Sequence, residues 1–135
     1  MTVMACLVSQ QHVPNLLAIR AVKPDWLVLL VTPGMKKRGK HTHLLKALAA
    51  GGQDYSANYQ VVDVTDENSI AAVSRALEQS LEKHPDDKWI VNLTGGTEPM
   101  STGAYVFSRG KELMTLYIAE SDQHHAVDLL DGAST

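Results

Sequence analysis

Thr94-Gly95-Gly96-Thr97 is the part of this 135-residue chain best equipped for chemistry. The two glycines lack a Cβ, so the backbone there can turn through positive φ or lie against a bound group. A threonine hydroxyl stands on either side. The run Trp89-Ile90-Val91-Asn92-Leu93 leads into the turn, and Glu98-Pro99-Met100 leads out of it, with proline where a helix begins. Such a helix aims its unpaired N–H groups and the positive end of its dipole at whatever lies above the strand. Anion binding, phosphate foremost, is the chemistry this arrangement suits, although a plain strand-to-helix connection would use the same residues.

Other polar sets compete for attention. Ser9-Gln10-Gln11-His12 offers a hydroxyl, two amides and an imidazole that titrates near neutrality, and Thr32-Pro33-Gly34 precedes the cations Lys36, Lys37, Arg38 and Lys40. Gly34-Met35-Lys36-Lys37-Arg38-Gly39-Lys40 fits G-x-x-x-x-G-K, the phosphate-binding loop of nucleotide hydrolases. His41 stands where that loop needs Ser or Thr for Mg²⁺, and Thr42 comes one place late. His41 and His43 are two apart, which on a helix puts them on different faces, and His124-His125 falls in an expected hairpin turn between Asp122 and Asp128. Neither pair makes a metal site, and no metal or cofactor is expected.

The elements that must carry these residues follow from hydrophobic period. Short apolar runs at Val3 to Val8, Trp26 to Thr32, Tyr59 to Val64 and Trp89 to Leu93 read as strands. They alternate with helical patterns over Asn15 to Val22, His43 to Ala50, Asn68 to Lys83 and Met100 to Arg109. Thr65 or Asp66 can cap the third helix and Gly110 can close the fourth, while Leu113 to Ala119 and Ala126 to Leu130 complete the chain as a pair of strands. The expected fold is α/β, a Rossmann-like three-layer sandwich with a mainly parallel sheet and a C-terminal strand pair, in one domain over residues 1–135. In such a sheet, ligands sit beyond the carboxyl ends of the strands. The loops after strands one, two and four then converge, bringing Ser9, Gln10 and Gln11, Thr32, Pro33 and Gly34, and Thr94 to Met100 to one crevice. The first loop has no G-x-G-x-x-G, which speaks against a dinucleotide cofactor.

Composition narrows the class. A hydrophobic content of 44% builds one core, and no apolar run reaches the roughly 20 residues that span a bilayer. Met1 to Val8 lacks a secretory leader's basic start, and Cys6 is the one cysteine, so a soluble, cytoplasmic protein without membrane contact or internal disulfide is expected. Net charge is −3, against a general coat for large nucleic acids. Four of the 12 basic residues lie between Lys36 and Lys40, leaving 8 basic against 15 acidic elsewhere. A cationic loop on an acidic body is the expected picture; it would either serve the crevice or simply be solvated.

Leu7-Val8-Ser9-Gln10-Gln11-His12-Val13-Pro14-Asn15-Leu16, Lys23-Pro24-Asp25 before strand two, and Asn92 to Met100 together resemble the CRISPR-associated Rossmann-fold (CARF) domain. The similarity covers nearly the whole chain and is strongest to the sensor half of type III CRISPR nucleases activated by cyclic tetra-adenylate. It implies a homodimer whose crevices join across a two-fold axis to bind a ring of adenylates. It also implies that Gly95, Gly96 and Thr97 hold phosphates, that Lys36 and Lys37 neutralise the ring, and that Ser9 and Gln10 contact ribose or base. The family commonly has Lys after Gly-Gly-Thr, and this chain has Glu98. No effector is expected after residue 135, and on that expectation the chain resembles the ring nucleases, which open the messenger without metal by attack of a ribose 2′-OH on its neighbouring phosphate. In that reading Ser9 and Thr97 orient the reacting groups, Lys36 or Lys37 stabilises charge, and Glu98 or His12 accepts a proton. A sensor or sponge that keeps the ring intact, and a Mg²⁺-dependent hydrolase using Gly34 to Lys40, are the alternatives.

Overall fold

Strand β1 (Thr2–Leu7) and strand β2 (Trp26–Val31) are apolar on both faces, which only a sheet covered on both sides can satisfy. A computed structural model of the chain shows how. It describes residues 1–66, 68–120 and 125–131, with side chains described up to residue 117. The elements run β1, α1 (Val13–Val22), β2, α2 (Pro33–Lys37), α3 (Lys40–Ala50), β3 (Tyr59–Asp63), α4 (Ile70–Lys83), β4 (Lys88–Asn92), α5 (Glu98–Ser108), β5 (Met114–Glu120) and β6 (His125–Asp131).

The sheet has the order β3-β2-β1-β4-β5-β6, parallel except for β6, which pairs antiparallel with β5. Side-chain alternation divides the core. Val3, Ala5, Leu7, Val28, Leu30, Trp89 and Val91 point to the face covered by α4 and α5. Met4, Cys6, Leu27, Leu29, Val31 and Ile90 point to the face covered by α1 and α3. The chain first winds outward from β1 to β3, then returns to β4 beside β1 and winds the other way. Right-handed crossovers therefore put helices on opposite faces, and the reversal opens a crevice between the carboxyl ends of β1 and β4. This is the expected α/β sandwich with its C-terminal strand pair.

Three local expectations need correction. The basic segment after β2 is a helix, not a loop: Thr32 is extended, Pro33 opens α2, and the amides of Lys36, Arg38 and Gly39 bond to Thr32, Gly34 and Lys36 carbonyls. Those engaged amides cannot cradle a triphosphate, so Gly34 to Lys40 is not a phosphate-binding loop. The third long helix is capped by Ser69, whose Oγ accepts from Ala72 N at 3.1 Å, and not by Thr65 or Asp66. Asp66 instead accepts from Asn68 N at 2.9 Å and shapes the turn before the cap. The first helix begins at Val13, with His12 as N-cap, because Pro14 fits its first turn. His124 and Asp122 lie outside the described residues.

Candidate functional site

A cavity of about 770 Å³ lies over the β1/β4 reversal, lined from three sides by the ends of β1, β2 and β4 and from a fourth by β5. Ser9, Gln10, Gln11, Thr32, Thr94, Gly95, Gly96, Thr97 and Met100 all line it. The volume is that of an ordinary small-ligand site.

The glycine turn is shaped by contacts beneath it. Gly95 has φ +104°, and a Cβ there would stand 3.1 Å from the Leu7 carbonyl oxygen. A Cβ on Gly96 would stand 2.9 Å from both Leu7 Cδ1 and Met100 Cβ. The turn thus lies on the end of β1 with no room for side chains. Thr97 caps α5, its Oγ1 accepting from Met100 N at 3.4 Å, and Ser101 Oγ donates to Leu93 O at 2.7 Å, pinning the first turn of α5 to the end of β4. Two buried amides hold the assembly from below: Asn15 Nδ2 donates to Leu7 O at 2.9 Å, Asn92 Nδ2 donates to Asn15 Oδ1 at 2.9 Å, and Asn92 Oδ1 accepts from Thr94 N at 3.1 Å.

On the β1 side, Ser9 Oγ donates to Gln11 O at 3.1 Å and accepts from Gln11 N at 3.2 Å, a small turn that leaves Gln10 and Gln11 exposed at the rim. On the β2 side, Thr32 is 3% exposed and its Oγ1 has no hydrogen-bond partner among the described residues. A buried hydroxyl left unpaired against a cavity is what a ligand's polar group would satisfy.

No Lys, Arg, Asp, Glu or His side chain lines the cavity among the described residues. Lys36 Nζ lies 3.0 Å from Asp63 Oδ1 at the exposed end of β3, and Lys37, Pro33, Gly34 and Glu98 lie outside the lining. His12 is also outside the lining, edge-on to His43 with ring centroids 6.4 Å apart. Partial burial, then the charges of Lys40 and His43, hold its pKa below the ordinary 6.5. The lining's polarity comes from hydroxyls, amides and backbone.

Sequence reasoning missed Val8, Val13, Pro14, Met35 and Tyr117 in the lining. Tyr117 is the instructive one. Asn92 pairs with Leu116, so Tyr117 stands one residue past the end of β4, level with the turn, where it is 48% exposed. Strand order and register reveal this, and neither is written in the local sequence. Cys6 lies fully buried outside the cavity, its thiol pushed up to about 12 by burial, and is inert at neutral pH.

The model of the Card1 CARF domain matches residues 3–132. The chain belongs to the CARF family. The domain is also similar in fold to Can2 from Sulfobacillus thermosulfidooxidans in complex with cyclic tetra-adenylate (24% identity, TM-score 0.74, 88% of this chain and 32% of that one). A type III CRISPR defence DNA nuclease activated by cyclic oligoadenylate gives 24% identity and a TM-score of 0.68 over 86% of this chain and 18% of that one. Enterococcus italicus Csm6, bound to cyclic hexa-2′-fluoro-hexa-dAMP, gives 15% identity and a TM-score of 0.69 over 89% of this chain and 34% of that one. The chain thus spans about a third or less of the lengths of these proteins. A comparison with curated proteins gives no match.

Proposed function

We propose that this CARF domain binds a cyclic oligoadenylate, cyclic tetra-adenylate first among the candidates, in the cavity over the β1/β4 reversal. The observation that carries the reading is the convergence of Ser9 to Gln11, Thr32 and Thr94 to Met100 on one cavity at the start of α5. Backbone amides of Gly95, Gly96 and Thr97 take phosphates, while Ser9, Gln10, Gln11 and the unpaired Thr32 hydroxyl take ribose or base. Tyr117 offers an adenine a stacking face. Two copies share one ring across a two-fold axis, with Tyr105 and Val106, exposed side by side on α5, in the contact.

Ring opening follows from positioning. The ring's own 2′-OH, held in line with the next phosphate by Ser9 and Thr97, attacks phosphorus; the 5′-oxygen leaves with a proton, and a linear product with a 2′,3′-cyclic phosphate remains. Such positioning lowers barriers by roughly 7–11 kcal/mol in favourable cases, and no metal enters the step. His12, favouring its neutral form, or Glu98 accepts the proton. Lys36 stabilises charge on leaving Asp63, with Lys37 beside it, and the product switches off the signal. Retention of the intact ring is a second reading, favoured by a lining without a charged side chain among the described residues.

The purified protein is incubated in EDTA with cyclic tri-, tetra- and hexa-adenylate, and products are resolved by chromatography and mass spectrometry, with sedimentation of free and loaded protein. Multiple turnovers to linear cyclic-phosphate products on a dimer are expected. One intact ring retained per dimer selects the sensor reading, and failure to bind any ring overturns the proposal.

A further inference from the structure

Asn15 and Asn92 are the two buried amide side chains of the described core, 1% and 0% exposed, and 77 residues apart in sequence. Each lies on an element whose other inward residues are apolar. A buried amide pair contributes little net stability when satisfied and is costly for each group left unpaired. It therefore tolerates few alternative arrangements, which makes it better suited to fixing a conformation than to adding stability.

The hydrogen bonds run in one direction. The Leu7 carbonyl needs a donor and receives Asn15 Nδ2; the Thr94 amide needs an acceptor and finds Asn92 Oδ1; the two side chains join through Asn92 Nδ2 and Asn15 Oδ1. A carboxylate has no donor and a hydroxyl is too short, so a primary amide at both positions completes the chain. Its ends bear directly on the cavity. Leu7 O is the atom over which Gly95 turns, and Thr94 is the first residue of the turn. Asn15 stands in the first turn of α1, next to Val13 and Pro14 of the lining. One relay thus ties the end of β1, the start of α1 and the glycine turn.

We propose that the Asn15–Asn92 pair is the positioning element of the binding site: it fixes the course of Thr94-Gly95-Gly96-Thr97, and ligand affinity depends on it although neither side chain lines the cavity. The dependence on ligand rests on the cyclic oligoadenylate reading; the effect on the turn does not.

The test uses Asn15→Leu, alike in branching without donor or acceptor, and the smaller Asn15→Ser in case the first does not fold. Amide hydrogen exchange is followed residue by residue in the ligand-free protein, and cyclic tetra-adenylate affinity is measured by calorimetry. Exchange at Thr94, the turn amide bonded to Asn92 Oδ1, is expected to rise about tenfold or more while the amides of β1 and β2 keep their protection, with affinity falling by about tenfold or more. Unchanged protection of the turn in a folded variant overturns the proposal, as does faster exchange with undiminished affinity. If the wild-type protein binds no ring while the exchange effect appears, the functional reading fails and the effect of the pair on the turn stands.

Discussion

The two edges of the sheet treat their polar groups in opposite ways. At the amino-terminal edge most of them satisfy one another, Trp26 Nε1 at the start of β2 being the buried group without a partner among the described residues. The Met1 amine bonds Asp87 at 3.0 Å, Asp25 accepts from Thr2 N at 2.8 Å, and Tyr55 Oη donates to Pro24 O at 2.7 Å. Trp89 Nε1 donates to His84 O at 3.0 Å, and His84 Nδ1 lies 3.2 Å from Asp87. At the carboxyl edge the Thr32 hydroxyl is unpaired among the described residues, Tyr117 and Val13 are exposed, and the cavity lies open. One edge closes the fold, and the other keeps binding capacity for something outside it. Substitutions at the two edges should therefore separate stability from binding.

The largest effect is expected from Gly96→Val. Its Cβ would press on Leu7 and Met100 at 2.9 Å, moving the turn off β1. Cyclic tetra-adenylate binding should be lost in calorimetry, with destabilisation of about 1–3 kcal/mol in urea unfolding. Wild-type affinity in this variant would remove the turn from the site. Tyr117→Ala comes next. Loss of a stacking face should weaken binding roughly 5- to 150-fold and leave the melting temperature within a degree or two, because the ring is 48% exposed. Tyr117→Phe should restore affinity; a melting temperature that falls with affinity would instead assign the ring to the core.

Asp25→Ala tests the other edge. It leaves Thr2 N without its acceptor, so unfolding free energy should fall by about 1–2 kcal/mol while ring affinity stays at the wild-type value. A changed affinity would end the separation of the two edges. The smallest effects concern pH. The His12 pKa lies below its ordinary 6.5, so the unfolded chain binds the proton more readily. Stability should decline as pH falls below about 6.5, and His12→Gln should flatten that decline. The Asp87 carboxyl is held below the usual carboxylate value of 3.8, first by its hydrogen bond from the terminal amine. Its contribution is present above that value and is lost only in stronger acid, where Asp87→Asn should remove it. Equilibrium unfolding across the pH range, in all three proteins, resolves the two windows.

Much of this was legible in the residues. The apolar runs of β1, β2 and β4 announced buried parallel strands, because only strands covered on both faces carry Val and Leu at successive positions. Thr94-Gly95-Gly96-Thr97 announced the turn, since few other residues permit a φ of +104° or an approach this close to Leu7. Local chemistry decided these features, and local chemistry is written in order along the chain. The α2 helix was harder to see, because a five-residue helix has too little period to stand out from a basic loop.

Tertiary structure decided the rest. Lys36 had the residue type for a phosphate ligand, yet its ammonium reaches Asp63, 27 residues away, because β3 lies beside β2. Tyr117 reached the cavity through its register against β4, and Asn15 met Asn92 because α1 covers the face of the sheet toward which Asn92 points. Such pairings depend on strand order and on the hand of the crossovers, which sum over the whole chain. The sequence by itself determined the strands, the four longer helices and the place of the glycine turn. Only the packed sheet decided which distant side chains share a cavity, because proximity across 77 residues is a property of the fold and not of any segment within it.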